Sequence, residues 1–336
     1  MIVKLLSTDY IKSKDISNFY HSRNWIKAIE ESYKIKPFIL GLIDNKKIIN
    51  VIPFFLLKSN FFGSKLVSLP YGDYGGFILS NQKVDWLLKK LNDIAKENDV
   101  DYVEIREPNL EFEKHLKSFE TRSQYYTFVL NLDQPVEDIW KSFDKKVRNN
   151  IRKAEKFHAK VVEGNKKDLE EFYRLYVNTM KKLGSPPHSL DFFDNVFKYC
   201  SKNVKLLFAA HDNKKIAASI FFLHKKKIYY WKNVSDEEYL YLRPNDLILY
   251  KMIEWGQKNN FKSFDFGRTR MHSGGFLFKK RWGGKMKELN YYYRVYKESD
   301  IPDPEKEKYK FLGGLWKSLP IFLIKRLGPM IRKNFP

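Results

Sequence analysis

The residues best suited to chemistry lie between Asn260 and Gly284, in NFKSFDFGRTRMHSGGFLFKKRWGG. A short β-like run, Phe261 to Phe266, carries Asp265 and ends at Gly267. A basic loop with Arg268 and Arg270 follows. Gly274 and Gly275 free the backbone before a compact cluster, Phe278-Lys279-Lys280-Arg281-Trp282-Gly283-Gly284. A strand end, glycines, converging cations and aromatic walls suit an anionic or acyl-bearing substrate. The same letters also suit a basic surface hairpin, and the stretch alone does not choose between the two.

The chain that must position these residues has 336 of them, a hydrophobic fraction of 43% and an aromatic fraction of 16%. That composition excludes a disordered protein and gives room for two domains, each with its own core. The formal charge of +22 draws phosphates, nucleic acid, anionic lipid or an anionic envelope precursor without selecting one. The single cysteine, Cys200, excludes an internal disulfide and reads as a buried thiol on the apolar side of a helix. The seven histidines show no metal-ligand spacing, so no metal is expected. The first residues, MIVKLLSTDYIKSKD, lack the apolar core of a signal peptide, and no apolar run approaches bilayer length. The expectation is a cytoplasmic protein, either free or peripheral at the inner membrane face.

Along the chain, Ser22 caps a helix over Arg23 to Tyr33, and PFILGLID and KIINVIPFFLLK form a hairpin across Asn45-Lys46. Pro53 marks an edge or a bulge in the second run. The glycine-rich segment LVSLPYGDYGGFILS follows, then a helix from Val84 to Glu97 and the strands DYVEIRE and YYTFVLNL. Pro135 to Lys156 reads as one long helix with Lys141, Lys145, Arg148, Arg152 and Lys156 on its outer side, as a solvated face or a phosphate-binding one. Two helices, Asp168 to Leu183 and Leu190 to Cys200, flank Gly184-Ser185-Pro186-Pro187-His188-Ser189. The hairpin KLLFAAHDNKKIAASIFFLH, the strand KIYYWKNV and a helix that follows Pro244-Asn245 and runs to about Lys258 lead into the opening stretch.

Asp44-Asn45-Lys46-Lys47-Ile48 recurs letter for letter as Asp212-Asn213-Lys214-Lys215-Ile216, each time between two apolar runs. Ile52 and Phe54 then align with Ile220 and Phe222. A helix and a strand follow each hairpin, so the chain reads as two copies of one α/β (α+β) module, each a mostly antiparallel mixed sheet flanked by helices, with a cleft between them. The boundaries are 1–135 and 136–300, with the helix 136–156 as connector and 301–336 as a basic amphipathic tail.

Taken together, VRNNIRKAEK, LGSPPHS, YLRPNDLILYKMIEWG and FDFGRTRMHSGGFLFKKRWGG resemble the FemAB-type acyltransferases, and among them an exopolysaccharide-associated branch. The resemblance covers nearly the whole chain, with SLPYGDYGG similar to the family's N-terminal substrate loop. It implies two GNAT-like modules and attack by an amine, or a hydroxyl, of a cell-envelope or polysaccharide precursor, peptidoglycan in the best-known case, on the activated acyl group of a donor. By match to the family's Phe-Lys pair, Lys279 and Phe278 are the leading catalytic candidates. A lysine there can stabilise a developing oxyanion or hold a donor phosphate, and the phenyl ring can exclude water. Asp265 can accept a proton, or can be held structurally by Arg268 or Arg270.

Arg268 and Arg270 are candidates for phosphate or carboxylate binding. Tyr71, Asp73 and Tyr74 either grip the acceptor or form a tight turn with exposed tyrosines. Trp282, His188 and Asn245 complete the candidate binding set, although Asn245 at a helix start reads as a cap before it reads as a ligand. The donor stays open between an acyl-CoA and an aminoacyl-tRNA. Neither a tRNA-binding helical arm nor the Gln/Arg-x-x-Gly-x-Gly/Ala loop of acetyl-CoA enzymes is present. Two other readings remain: an acetyl-CoA-dependent sugar or amine N-acetyltransferase on the same fold, and a non-catalytic protein that binds RNA or anionic glycan. From Lys308 to Pro336 there are seven cations and no carboxylate. Such a tail either lies on an anionic membrane near an anionic, lipid-linked acceptor or packs on the second module.

Overall fold

The computed structural model describes residues 1–12, 15–79, 83–297 and 307–335. They fall into two compact units. The first is Met1–Gln124 with Leu289–Lys310 and Pro329–Pro336, and the second is Tyr125–Glu288 with Phe311–Gly328. The start of the tail, 301–306, lies outside the described residues.

In the first unit, β1 (Ile2–Leu6), β2 (Pro37–Asp44), β3 (Lys47–Ser59) and β4 (Gly63–Val67) are successively antiparallel. β5 (Tyr102–Arg106) is parallel to β4 and antiparallel to Tyr291–Val295. Helix α1 (Arg23–Tyr33) starts at Ser22, whose side chain accepts from Trp25 N at 3.2 Å. Its buried face is Trp25, Ile26, Ala28 and Ile29. Helix α2 (Val84–Glu97) buries Leu87, Leu91 and Ile94 in the same core as Phe54, Leu66 and Val103. Pro53 pairs with Ile39 of β2, and the ladder to β4 begins only at Phe55. No β4 partner is therefore deprived of a donor, and the position is a local edge, not a bulge.

The second unit draws residues Tyr125–Asn131 from strand β6 (Glu120–Asn131) and then enters helices α3 (Val136–Ser142) and α4 (Lys145–Lys156). The single long helix expected here is broken at Phe143-Asp144. Asp144 has an extended backbone and caps α4, accepting from Lys146 N at 2.7 Å. Arg148, expected on an outer basic face, turns back and donates to the carbonyls of Lys141 at 3.0 Å and Phe143 at 2.6 Å. A guanidinium thus satisfies the carbonyls left over at the end of α3.

Strands β7 (Lys160–Gly164), β8 (Val204–His211), β9 (Lys214–His224) and β10 (Lys227–Ser235) are again successively antiparallel. β11 (Ser263–Asp265) is parallel to β10 and antiparallel to β6. Helices α5 (Leu169–Leu183) and α6 (Leu190–Tyr199) separate β7 from β8, and α7 (Pro244–Lys258) separates β10 from β11. Ser189 caps α6 through Phe192 N at 3.1 Å, and Cys200 is fully buried.

The pattern of three antiparallel pairs, one parallel pair and a final antiparallel strand is therefore the same in both units. The two-module reading is borne out at the level of topology.

The matching pentapeptides, however, are not structurally equivalent. Asn45 and Lys46 take the positive-φ turn positions in the first hairpin, whereas Asp212 and Asn213 take them in the second. Each hairpin then carries a one-residue irregularity at the same distance from its turn. The alignment of Ile52 and Phe54 with Ile220 and Phe222 is thus off by one, which in a strand places a residue on the opposite face.

Candidate functional site

The end of β11 organises the candidate residues of the second unit. β11 is only three residues long, but it is gripped on both sides, by β10 and by Val129–Asn131 of β6. Phe266 N continues that grip by donating to Phe128 O at 2.9 Å. Gly267 then turns with φ +69°, which a side chain would resist. Strand β12 (Thr269–Arg270) returns to pair with Tyr126 and Tyr125.

Gly274 and Gly275, expected to free the backbone, instead begin a short helix, α8 (Gly274–Lys280). Ser273 caps it by accepting from Phe276 N at 3.1 Å, and donates to Arg270 O at 2.7 Å. A buried face anchors α8 and the turn that follows. Trp282 is fully buried against Phe143 (5.0 Å), Phe266 (6.0 Å) and Phe278 (6.2 Å). Arg281 O accepts from Asp144 N at 2.8 Å, which ties this turn to the start of α4.

Lys279, half-buried on α8, donates to the carbonyls of Gly267 and Arg268, both at 3.0 Å. Its ammonium also lies 5.9 Å from the centre of the Tyr230 ring. The sequence distance from strand end to helix thus closes into one turn, with a positive charge fixed over the turn that follows β11.

Asp265 has no exposed surface. Its Oδ1 accepts from Thr127 Oγ1 at 2.6 Å and from Gly267 N at 2.9 Å, and its Oδ2 pairs with Lys227 Nζ at 2.7 Å. A buried carboxylate needs such compensation. The guanidinium groups of Arg268 and Arg270 lie 4.7 and 5.4 Å from the centre of the Tyr125 ring, in the range of cation–π attraction.

The start of α7 holds residues that the sequence reading passed over. Arg243, with φ +57°, is the N-cap, and Pro244 is the first helical residue. Asn245, expected as the cap, is one position further in and donates to Ser235 Oγ at 3.3 Å. Asp246 is 6% exposed, and Asn150 of α4 reaches its Oδ2 at 3.4 Å. Its Oδ1 has no hydrogen-bond partner. Burial pushes this carboxyl up to about 6, against the opposing hydrogen bond from Asn150 and the fields of Arg243 and Arg281.

His188 belongs to a different part of the second unit. It is fully buried, its ring 4.4 Å from that of Phe192, and its backbone N donates to Tyr176 OH at 3.1 Å. The glycine-rich loop of the first unit is likewise packed, and its tyrosines are not exposed. Tyr71 is 4% exposed, has φ +65° and donates to Lys333 O at 2.7 Å. Tyr74 is buried with its ring 5.9 Å from that of Tyr20, and Tyr20 OH donates to Asp73 Oδ2 at 3.3 Å. Arg106, paired with Glu104 at 2.6 Å, holds the loop through Gly72 O at 2.5 Å.

Residues 141–280, which include β11 and α8, match the family model of an acetyltransferase (GNAT) domain. The lipid II:glycine glycyltransferase of Staphylococcus haemolyticus is 22% identical, over 48% of this chain and 56% of its own length. The chain thus spans little more than half of that curated relative. The crystal structure of FemX superposes with a TM-score of 0.71 at 14% identity, covering 95% of this chain and all of that one. The chain thus resembles a GNAT acetyltransferase domain over residues 141–280 and shares the fold of FemX. The fold extends to L-PGS from Bacillus licheniformis, with a TM-score of 0.55 at 11% identity over 91% of this chain and 92% of that one.

No group of three or more His, Cys, Asp or Glu among the described residues could hold a metal ion. No helix among them is long and apolar enough to cross a membrane. Among the residues missed by sequence reading, Lys227 was hidden in a run of three lysines, and Thr127 in an apolar strand. Asp246 could have been suspected as a carboxylate in the apolar stretch LRPNDLIL.

Proposed function

We propose that this protein is an N-acyltransferase that moves an aminoacyl group from aminoacyl-tRNA to the amine of a lipid-linked or nucleotide-linked cell-envelope precursor. The likeness to a glycyltransferase and to the FemX fold supports the reaction class. The observation that carries the choice of donor is the start of α7. In a GNAT-type acyl-CoA enzyme, free backbone N–H groups at such a helix start hold a pyrophosphate. Here the first helical residue is Pro244, which has no N–H, and a buried carboxyl, Asp246, stands in the first turn. Both features work against an anion at this place.

In this reading the acceptor nitrogen attacks the ester carbonyl carbon and the bond to the tRNA ribose oxygen breaks. The proton lost by the amine ends on that leaving oxygen. Lys279, fixed by the carbonyls of Gly267 and Arg268, supplies positive charge to the oxyanion. Phe278 walls the acyl group. Asp265 acts as the anchor that holds Lys227, Thr127 and the Gly267 turn in register. Arg268 and Arg270, steadied on Tyr125, offer charge to a phosphate of donor or acceptor.

The test offers the chain charged tRNAs, acetyl-CoA and longer acyl-CoAs with amine-bearing nucleotide-linked and lipid-linked acceptors, and reads product masses. Addition of an amino-acid residue is expected. Acyl transfer from a CoA thioester with none from tRNA would overturn the donor assignment and favour the N-acetyltransferase reading.

A further inference from the structure

Helices α9 (Glu307–Ser318) and α10 (Ile321–Arg332) carry the basic tail. Within the second unit their inner faces fit closely. A Cβ on Gly184, at the end of α5, would lie 2.6 Å from Gly313 O of α9, and one on Gly328 of α10 would lie 2.4 Å from Pro187. Trp316 and Ile324 are buried on the same inner side. Packing therefore settles one half of each helix.

The outer halves are a different surface. Phe311 and Phe322 are each 68% exposed and Leu315 is 52% exposed. Lys317, Lys325 and Arg326 are exposed too. Phe322, Lys325 and Arg326 stand at i, i+3 and i+4 and share one face of α10. No carboxylate occurs from Lys308 onward. A water-facing helix does not gain by exposing two phenylalanines, and a protein partner would normally bring pockets and acidic groups of matched spacing. A bilayer with anionic lipids meets both needs at once, taking rings into its interface and cations at its headgroups.

We infer that the outer face of α9 and α10 is a docking surface for an anionic lipid bilayer, which would hold the catalytic unit at the membrane. The inference stands on this face alone and does not require the donor or acceptor proposed above.

The full chain is mixed with phosphatidylcholine vesicles with and without roughly a quarter phosphatidylglycerol, sedimented, and the bound fraction measured at low and high salt. Binding to the anionic vesicles that weakens with salt is expected. Lys325→Glu with Arg326→Glu should cut the partition by at least about 30-fold, from the roughly fivefold that each basic residue contributes at such a surface. Phe311→Ser with Phe322→Ser should also abolish binding, while circular dichroism stays unchanged because the sites are exposed. Equal binding to both vesicles, or none to either, overturns the inference. So does a chain that is dimeric in size-exclusion chromatography and becomes monomeric in the phenylalanine variant, since a second copy would then cover this face.

Discussion

Replacing Asp246 by Asn should stabilise the protein, and only at neutral pH. The carboxyl is buried at the start of α7, with Oδ1 unpartnered, and its folded-state value is lifted from 3.8 to about 6. Below about pH 4 it is protonated in folded and unfolded chains alike, and it contributes no pH dependence. As pH rises between the two values the unfolded chain releases the proton first, so the folded state binds more protons and stability falls with pH. Above about pH 6 the full cost, about 3 kcal/mol, is present. Asparagine keeps the shape and removes the charge.

The amide of Asn150 would then meet a neutral oxygen, a weaker partner, at a loss of about 1 kcal/mol. A net gain of about 2 kcal/mol near pH 7.5 is expected, or about 5 °C in melting temperature for a unit of this size, shrinking to nothing or to a slight loss near pH 4. Thermal melts of both proteins at the two pH values measure it. A variant that melts lower than the parent near pH 7.5, or a gap that does not change with pH, would refute the electrostatic account. In that case an unseen partner for Oδ1 would hold the carboxylate.

Lys279→Ala should reduce kcat by about 100- to 1,000-fold if the ammonium serves an oxyanion, with a smaller effect on KM. Single-turnover kinetics with saturating donor would show it, and an unchanged rate would leave Lys279 as a tie between α8 and the β11 turn. Gly283→Ala should lower stability by about 2–3 kcal/mol, because Gly283 has φ +73° and an added Cβ would stand 2.7 Å from Ser142 O. Gly274→Ala is its control: nothing lies within 4 Å of that Cβ. It should be neutral or stabilising by up to about 1 kcal/mol in the same denaturation experiment.

Much of this architecture was legible because local signals and packing agree. Ser22 and Ser189 announce their helices, the hairpin turns stand between apolar runs, and the helices show one apolar face each. What was not legible depended on partners distant in sequence. Nothing around Pro135 to Lys156 signals a break, since Ile139, Phe143, Val147 and Ile151 keep helical spacing. The break becomes tolerable through Asp144 as a cap and Arg148 as a donor to the end of α3. Likewise the sequence offered Asp265 only its neighbouring arginines as partners, and the sheet brings it Lys227 and Thr127 from adjoining strands. Tyr71 and Tyr74 read as loop residues open to a ligand, and their burial follows from the hydrogen bonds that Arg106 and Tyr20 make to the same loop.

The duplicated hairpin shows how a correct inference can rest on a misaligned match. Asp-Asn-Lys-Lys-Ile occurs twice, but the turn positions fall on Asn45-Lys46 in one copy and Asp212-Asn213 in the other. Both pairs take positive φ because a two-residue hairpin demands it; Asn45, Asp212 and Asn213 accept the left-handed region readily, and Lys46 is held there by the turn. Identical letters are therefore no guide to register. The pairing is set by the apolar faces, and each hairpin reaches the same irregularity at the same distance from its turn.

The shared order of strands, including the parallel step from β4 to β5 and from β10 to β11, is the firmer mark of duplication. It also locates what differs. After β5 the chain passes to Glu107, whose two oxygens accept from Phe77 N and Asn109 N, each at 2.8 Å. After β11 it passes to Gly267 and then to a helix that returns Lys279 to the strand end. A carboxyl that fastens a loop stands in one copy where a fixed cation stands in the other. On the proposed function it is the second arrangement that would offer charge to a developing oxyanion, so the substitutions that matter for turnover should cluster behind β11.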